Sequence, residues 1–386
     1  MFATTSDAQK YLKDFEYNLT KIHARSRVPG FALAIVKNDS IIYSNGFGLS
    51  NIKNKIPYRT NTIQPIASIS KTFIALALMK AIDQGYLTLE TAINDVLPFK
   101  IINPNFPNES IKIKHLVTHT SGLVDNDSIY VWTYSISHKP KMDFKKFYYN
   151  YFSATGKYYT TLNFENYKPG AQFNYSNIAA ALVAYLIEIK TNIPFDEYTS
   201  KYIFSPLKMN DTHWFFDSLK AVNYTQLYEI TTQKDPEYKL LLNPDNSVKY
   251  YTNITYPDGK LHTSINDMAK YLIAMINGAS SHNGLLTENS FKILFEKQFN
   301  TFNMPLEIGT EEPNRAVFWA YNENDCLTHT GSDYGLTTFL VFNPITKVGH
   351  VIFFNAAFDG NNNEREIQTV GAIFNEIKIL ESYILQ

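Results

Sequence analysis

Two β-hairpin patterns stand at opposite ends of the chain, and they constrain the fold more than any other feature of the sequence. Each pairs two short apolar runs across a polar turn, with runs at 31–36 and 41–44 near the start and 337–342 and 348–354 near the end. Such runs, rich in β-branched and aromatic residues and bounded by turn residues, are typical of strands. Amphipathic helices are predicted outside both hairpins, over about 9–25 and 363–385.

The middle of the chain is mainly helical in pattern. Apolar stretches of helical length are found at 71–84, 178–190, 265–277 and 288–296. The segment 211–260 is rich in Tyr, Thr, Asn and Asp and predicts irregular strands and loops. We therefore expect an α+β fold, in which one antiparallel sheet built from both chain ends is flanked by the terminal helices.

A single domain over 1–386 with two lobes accounts for this order of elements. The sheet lobe is expected to comprise about 8–60 and 260–386, and the helical lobe about 61–259. The 386 residues are enough for one large core. No repeat or low-complexity tract divides the chain.

Composition excludes several classes of function. The formal net charge of −1 offers no Lys/Arg excess for a nucleic-acid partner. No apolar run approaches the ~18 residues of a membrane span. The single cysteine, Cys326, excludes an internal disulfide and a cysteine-built metal site, and the histidines lack metal-ligand spacing.

Ser68-Ile-Ser-Lys71 precedes a nearly all-apolar helical run. If Ser68 begins that helix, Lys71 lies one turn later on the same face, where its amine can approach the hydroxyl. Burial favours a neutral lysine that can take a serine proton. Helix capping is the alternative interpretation of Ser68. A second match, Ser50-Asn-Ile-Lys53, lies in a polar connection and is interpreted as loop.

Two further motifs follow along the chain. Tyr175-Ser-Asn177 opens the apolar helix at 178–190, although Ser176 or Asn177 could serve only as a cap. His329-Thr330-Gly331-Ser332 precedes the strand predicted near 336, and glycine there would permit close approach of a ligand to the backbone. A purely structural histidine is the alternative interpretation of His329.

The order Ser-x-x-Lys, Tyr-x-Asn and His-Thr-Gly resembles that of the penicillin-recognising serine hydrolases. The similar branch contains class C β-lactamases, D-Ala-D-Ala carboxypeptidases, esterases and D-aminopeptidases. Supporting phrases begin at Arg27, Gly85, His115 and Thr263, so the resemblance spans about 8–380. It implies a β-lactamase/transpeptidase-like fold.

The resemblance also implies residue roles. Ser68 would be the acylated nucleophile, and Lys71 and Tyr175 would share its proton, with the identity of the base left open. Asn177 would hold the substrate's amide or acyl side chain. The N–H groups of Ser68 and Ser332 would form an oxyanion hole, and His329 and Thr330, with Gly331 beside them, would face the far end of the substrate.

Two departures from the family pattern affect specificity. His329 stands where dedicated class C β-lactamases carry lysine, and a neutral imidazole attracts a β-lactam carboxylate less than an ammonium. In Asp258-Gly-Lys-Leu-His262, relatives often have two adjacent glycines. Lys260 or His262 is therefore expected to alter the rim of the cleft.

We expect a serine hydrolase that acts through a Ser68 acyl-enzyme, on D-Ala-D-Ala peptides or on D-amino-acid peptides and amides. A small-acyl esterase, a weak class C-like β-lactamase and a catalytically silent cell-wall or peptide-binding protein are the alternatives. The substrate would be a small peptide, amide or ester, with β-lactams as inhibitors and with no cofactor or metal. No leader is visible, so a periplasmic or secreted location requires one removed from this sequence; otherwise the expected location is cytoplasmic.

Overall fold

The computed structural model describes residues 6–230, 238–278, 284–357 and 364–385. The α-helices are α1 Ser6–Ala24, α2 Ser70–Asp83, α3 Ile113–Val117, α4 Asp127–Tyr130, α5 Phe144–Phe152, α6 Asn177–Thr191, α7 Phe195–Thr199, α8 Ile265–Gly278, α9 Glu288–Phe295 and α10 Glu364–Ile384. The strands before residue 200 are β1 Gly30–Lys37, β2 Ser40–Asn51, β3 Ile56–Pro57, β4 Ile63–Pro65 and β5 Tyr134–Ser135. Those between residues 200 and 300 are β6 Leu227–Glu229, β7 Ser247–Val248, β8 Thr252–Asn253 and β9 His262–Ser264. The last strands are β10 Asn314–Arg315, β11 Ala320–Tyr321, β12 Leu327–Asp333, β13 Leu336–Asn343, β14 Val348–Phe354 and β15 Ala356–Ala357.

An eight-stranded antiparallel sheet is assembled from the two ends of the chain. Its strand order is β10-β11-β12-β13-β14-β1-β2-β3. The two ends join where β14 pairs with β1, from Phe31 opposite Phe354 to Lys37 opposite Val348. The predicted α+β fold with a shared terminal sheet is confirmed.

Both faces of the sheet are covered, which explains why the central strands are apolar at nearly every position. Strand β14 is buried along its whole length and β1 along all but its last residue. The terminal helices α1 and α10 pack against each other and enclose one apolar layer with β1 and β14. Helix α8 covers the opposite face of the same two strands.

Helices α2 and α6 form the interior of the helical part and pack on each other. Their sequences are apolar on almost all sides, as expected for helices without a solvent face. The predicted helices agree with α1, α2, α6, α8 and α9 to within about three residues at each end. The first residue of the predicted helix at 363–385 lies outside the described residues.

Two short strand pairs, separate from the large sheet, join segments that are distant in the sequence. Strand β4, just before Ser68, pairs with β9, and β5 pairs with β8. The segment 211–260 contains only short strands and single turns where it is described, and 231–237 lie outside the described residues.

The structure corrects two local expectations. Ser68 lies in a separate 3₁₀ turn, Ala67–Ile69, and α2 begins two residues later at Ser70. His329 does precede the strand predicted near 336, which is β13, but it also lies in the middle of a strand of its own, β12, where it pairs with Leu340. Apart from Leu327 and Gly331, every residue of β12 is polar, so the sequence offered no apolar run from which this strand could be predicted.

Among the described residues, no single helix has the length and apolar character needed to cross a membrane. One pair, Asn177–Thr191 with Phe195–Phe204, meets that test only when combined across an 84° bend.

Candidate active site

A cleft of about 400 Å³ collects most of the residues singled out in the sequence. Its lining includes Ser68, Tyr175, Asn177, His329, Thr330 and Ser332. Lys71 and Gly331 are buried beside it and contact residues of its wall. The structure thus brings all three motifs together.

The turn that carries Ser68 has an unusual backbone. Ala67 has a φ of +49°, a left-handed conformation that costs an alanine about 1–2 kcal/mol. Strained backbone of this kind persists only where the surroundings hold it in place. Here Ile66 donates its N–H to Leu261 O at 3.0 Å and accepts from Thr338 Oγ1, also at 3.0 Å, so the turn is fixed from both sides.

The Lys71 amine lies at the centre of the site and is completely buried. Nζ lies 3.2 Å from Ser68 Oγ, 2.7 Å from Asn177 Oδ1 and 2.6 Å from the backbone oxygen of Asp258. An ammonium has three donors, and each has an acceptor here. The three contacts fix Nζ next to the Ser68 hydroxyl.

The side chain of Asn177, at the start of helix α6, can contact Lys71 because other residues cap and anchor the N-terminus of this helix. Ser176 is the N-cap, and its Oγ accepts from Ala179 N at 3.0 Å. The Asp125 carboxylate accepts from Ser176 Oγ at 2.7 Å, from Asn177 N at 2.7 Å and from Ile178 N at 2.9 Å. Negative charge is stabilised at a helix N-terminus. Asn177 is therefore not a cap, and its side chain is free to bind Lys71.

Tyr175 is supported on one face by His119. The rings lie 4.2 Å apart between centroids with an interplanar angle of 26°, and Lys71 Nζ lies 5.0 Å from the Tyr175 ring centroid. His119 accepts from Ser176 N at Nδ1, 3.2 Å away. Burial, with the nearby Lys71 ammonium, holds the pKa of His119 well below its usual value. A neutral imidazole therefore positions the phenol.

Gly331 is required by the close approach of β12 to the Ser68 turn. A Cβ at this position would lie 2.4 Å from Ile66 O and 2.4 Å from Thr338 Oγ1. Real Cβ atoms do not come this close to backbone oxygen, so any side chain would push β12 away. The glycine thereby sets the distance between Ser332 and Ser68.

His329 is a neutral group. Its Nδ1–H donates to Thr330 O at 2.7 Å. Burial within the cleft, with the Lys71 ammonium nearby, lowers the pKa of His329 to about 3. The imidazole consequently adds no positive charge to the cleft at neutral pH.

Arg315 brings a guanidinium to the cleft, together with its ion-pair partner Glu312. This residue of edge strand β10 lines the cleft, its Cζ lies 4.4 Å from the Phe173 ring centroid, and Nη1 pairs with Glu312 at 2.7 Å. Its Nε is buried without a hydrogen-bond partner among the described residues. Nε is therefore an unsatisfied donor, whereas Nη1 is occupied by Glu312.

Asp258 and Tyr130 form an acidic, aromatic wall. Tyr130 OH donates to Asp258 Oδ2 at 3.0 Å, and both residues line the cleft. Burial raises the pKa of the Asp258 carboxyl to about 6, although the Lys71 ammonium acts in the opposite direction.

The expectation that Lys260 or His262 forms the rim is wrong. Lys260 has a side chain only 2% exposed and pairs with Asp333. His262 is also buried, with its ring stacked on Tyr250. Both lie behind the cleft wall because the β4–β9 pairing draws their segment into the interior.

Asp125, His119 and Arg315 were not singled out as functional residues in the sequence. Asp125 and His119 lie within or just after the phrase at 115–123 that supported the family resemblance, which was the one available signal. Arg315 has no local signal.

The family model described as Beta-lactamase matches residues 15–372. The chain therefore belongs to the beta-lactamase family of serine hydrolases, as the order of its three motifs indicated.

Relatives and solved structures agree with this assignment. Protein flp of Staphylococcus aureus (strain NCTC 8325 / PS 47) is 26% identical over 358 residues, covering 91% of this chain. The chain spans only 64% of that relative's length. Penicillin-binding protein 4* of Bacillus subtilis (strain 168) is 30% identical over 185 residues, covering 47% of this chain and 37% of its own.

Two solved structures share the fold. The beta-lactamase/D-alanine carboxypeptidase from Pseudomonas syringae superposes with a TM-score of 0.70 at 18% identity, covering 95% of this chain and 99% of its own. The octameric penicillin-binding protein homologue from Pyrococcus abyssi has a TM-score of 0.66 at 23% identity, covering 89% and 73%.

Proposed function

We propose that this protein hydrolyses peptides or amides through a Ser68 acyl-enzyme and acts as a D-Ala-D-Ala carboxypeptidase or D-amino-acid peptidase. The contact that carries the proposal is the one between the buried Lys71 Nζ and Ser68 Oγ, at 3.2 Å. A nucleophile within hydrogen-bond reach of an amine that can exchange a proton with it, itself oriented by further groups, is the arrangement that covalent catalysis needs.

In the proposed reaction, Ser68 Oγ forms a bond to the substrate carbonyl carbon. Its proton passes through Lys71 or Tyr175 to the nitrogen of the leaving amine as the C–N bond breaks. Water then attacks the carbonyl carbon of the acyl-enzyme, the bond from that carbon to Ser68 Oγ breaks, the carboxylic acid product leaves, and a proton from the water returns to Ser68 Oγ. The N–H groups of Ser68 and Ser332 hold the oxyanion, an interaction worth roughly 3 kcal/mol per donor.

Substrate recognition divides between two parts of the cleft. Asn177 is proposed to hold the substrate's amide or acyl side chain, in addition to its contact with Lys71. Thr330 and the neutral His329 are proposed to face the leaving side. Arg315 is proposed to bind a terminal carboxylate there, since its guanidinium is always charged and the residue lines the cleft. A cation in this place favours a carboxypeptidase over an esterase.

The test compares an acetylated L-Lys-D-Ala-D-Ala peptide, the same peptide with an amidated C-terminus, and a nitrophenyl ester. We expect release of D-Ala from the free acid. Arg315→Met should lower kcat/KM for the free acid by roughly 10- to 100-fold, because a charged hydrogen bond is worth about 1.5–3 kcal/mol. The amide should be nearly unaffected by this change.

Arg27→Met is the matched control, since it removes an Arg–Glu pair of the same kind with Glu366, between residues that do not line the cleft. Fast ester turnover without peptide cleavage would instead identify a small-acyl esterase. Rapid release of hydrolysed β-lactam would identify a β-lactamase.

A further inference from the structure

Lys260 carries a charge that is enclosed behind the wall of the cleft. Its ammonium pairs with Asp333, and Nζ lies 3.5 Å from the Tyr251 ring centroid and 5.2 Å from that of Tyr134. Tyr134, Tyr251 and Tyr334 also pack on one another, with centroids 5.5–5.8 Å apart. Buried lysines are rare unless they are paired, so this arrangement requires an explanation.

The partner carboxylate belongs to the turn that ends the Ser332 strand. Asp333 directly follows Ser332 and pairs with Leu336 across the β12–β13 turn. One of its oxygens accepts from Tyr334 N at 2.8 Å and the other binds Lys260. The carboxylate therefore links the backbone of this turn to the Lys260 side chain.

The backbone around Lys260 reaches the other half of the site. Two residues earlier, Asp258 O accepts from Lys71 Nζ at 2.6 Å. One residue later, Leu261 O accepts from Ile66 N at 3.0 Å, just ahead of Ser68. A single short segment thus contacts the lysine, the nucleophile turn and the strand of Ser332.

We propose that Lys260 is a positioning residue that holds the Ser332 end of β12 in register with the Ser68 turn, through its ion pair with Asp333. The inference rests on the proposed function in one respect, namely that Ser332 N–H is an oxyanion donor. Lys260 does not touch the reacting atoms. Its loss leaves Asp333 as a poorly compensated charge, and such a carboxylate turns toward water.

The test measures the rate at which a fluorophosphonate phosphonylates Ser68, a reaction in which the Oγ–P bond forms and fluoride leaves, and which needs the oxyanion hole but no particular substrate. Lys260→Met keeps the side-chain volume and removes the charge. We expect phosphonylation to slow by roughly tenfold or more, since misplacement of a group by 1 Å can cost as much as 100-fold. Lys80→Met is the matched control, because Lys80 binds a backbone oxygen, Leu285 O, and does not line the cleft.

A rescue experiment separates positioning by charge from simple filling of space. Lys260→Ala removes the equivalent of n-propylammonium. Added n-propylammonium should restore phosphonylation of Ser68, whereas 1-propanol at the same concentration should not. Thermal melts of each variant report folding separately.

Three outcomes would overturn the inference. Lys260→Met could react within twofold of the wild type and of Lys80→Met, or 1-propanol could rescue Lys260→Ala as well as the amine does. A wild type that the phosphonate never labels would refute the proposed function itself and the positioning role with it.

Discussion

The anchoring of helix α6 by Asp125 gives the sharpest prediction about how this site is held. Asp125→Asn preserves shape but replaces one acceptor oxygen with an NH₂ group. The carboxylate accepts from one hydroxyl and two backbone N–H groups at the first turn of a 15-residue helix. An amide can accept with only one of its two positions, so at least one charged hydrogen bond is lost.

The expected cost follows from these contacts. A hydrogen bond to a charged group is worth about 1.5–3 kcal/mol, and the lost charge at the helix N-terminus adds about 0.3–1 kcal/mol. We therefore expect the free energy of unfolding to fall by roughly 2–4 kcal/mol. Because Asn177 begins the same helix and contacts Lys71, acylation of Ser68 should slow as well.

Urea unfolding and the rate of phosphonate labelling measure the two effects. Asp127→Asn is the control, since it makes the same chemical change at an exposed position two residues away. If Asp125→Asn matched Asp127→Asn within about 0.5 kcal/mol and labelled at the wild-type rate, the anchoring role would be refuted.

Two further predictions concern the walls of the cleft. Gly331→Ala should lose about 1–3 kcal/mol of stability from overpacking together with most phosphonate labelling, whereas Gly309→Ala, whose Cβ would meet no atom within 4 Å, should lose neither. For Asp258, the pKa of about 6 in the fold exceeds the unfolded value near 4, so the charged form is disfavoured in the native state. This penalty is absent below about pH 4 and complete above about pH 6. Asp258→Asn should therefore be more stable than the wild type at pH 8, by at most about 3 kcal/mol, and equal to it at pH 4, as measured by urea unfolding at each pH.

Each of these two predictions has an outcome that would contradict it. Equal labelling of Gly331→Ala and Gly309→Ala would mean that β12 does not need its close approach to the Ser68 turn. A stability difference for Asp258→Asn that is the same at both pH values would exclude titration of Asp258 as its cause.

The sequence predicted best those elements whose burial can be inferred from their own apolar residues. The hairpins of β1–β2 and β13–β14 are long apolar runs between polar turns, and α2 and α6 are apolar on nearly every side. Such patterns depend on which residues are buried and not on what covers them. The pairing of the two chain ends then follows because unpaired strand edges must be satisfied.

What sequence missed depends on contacts between distant segments. Asp125 meets the start of α6 across 51 to 53 positions, and no local pattern predicts that meeting. Lys260 was expected to alter the rim because it stands in a segment where relatives often have two adjacent glycines. Its burial results from a carboxylate 73 positions later in the chain, together with the tyrosine rings around it. Strand β12 was not predicted because most of its residues are polar, and these polar residues line the cleft.

The most direct test of the central claim is the intact mass of the protein after incubation with a serine-directed phosphonate, measured for the wild type and for Ser68→Ala. We expect one adduct per wild-type chain, located by peptide mapping on Ser68, and none on Ser68→Ala. An unlabelled wild type, or an adduct that persists in Ser68→Ala, would contradict the proposal that Ser68 is the nucleophile.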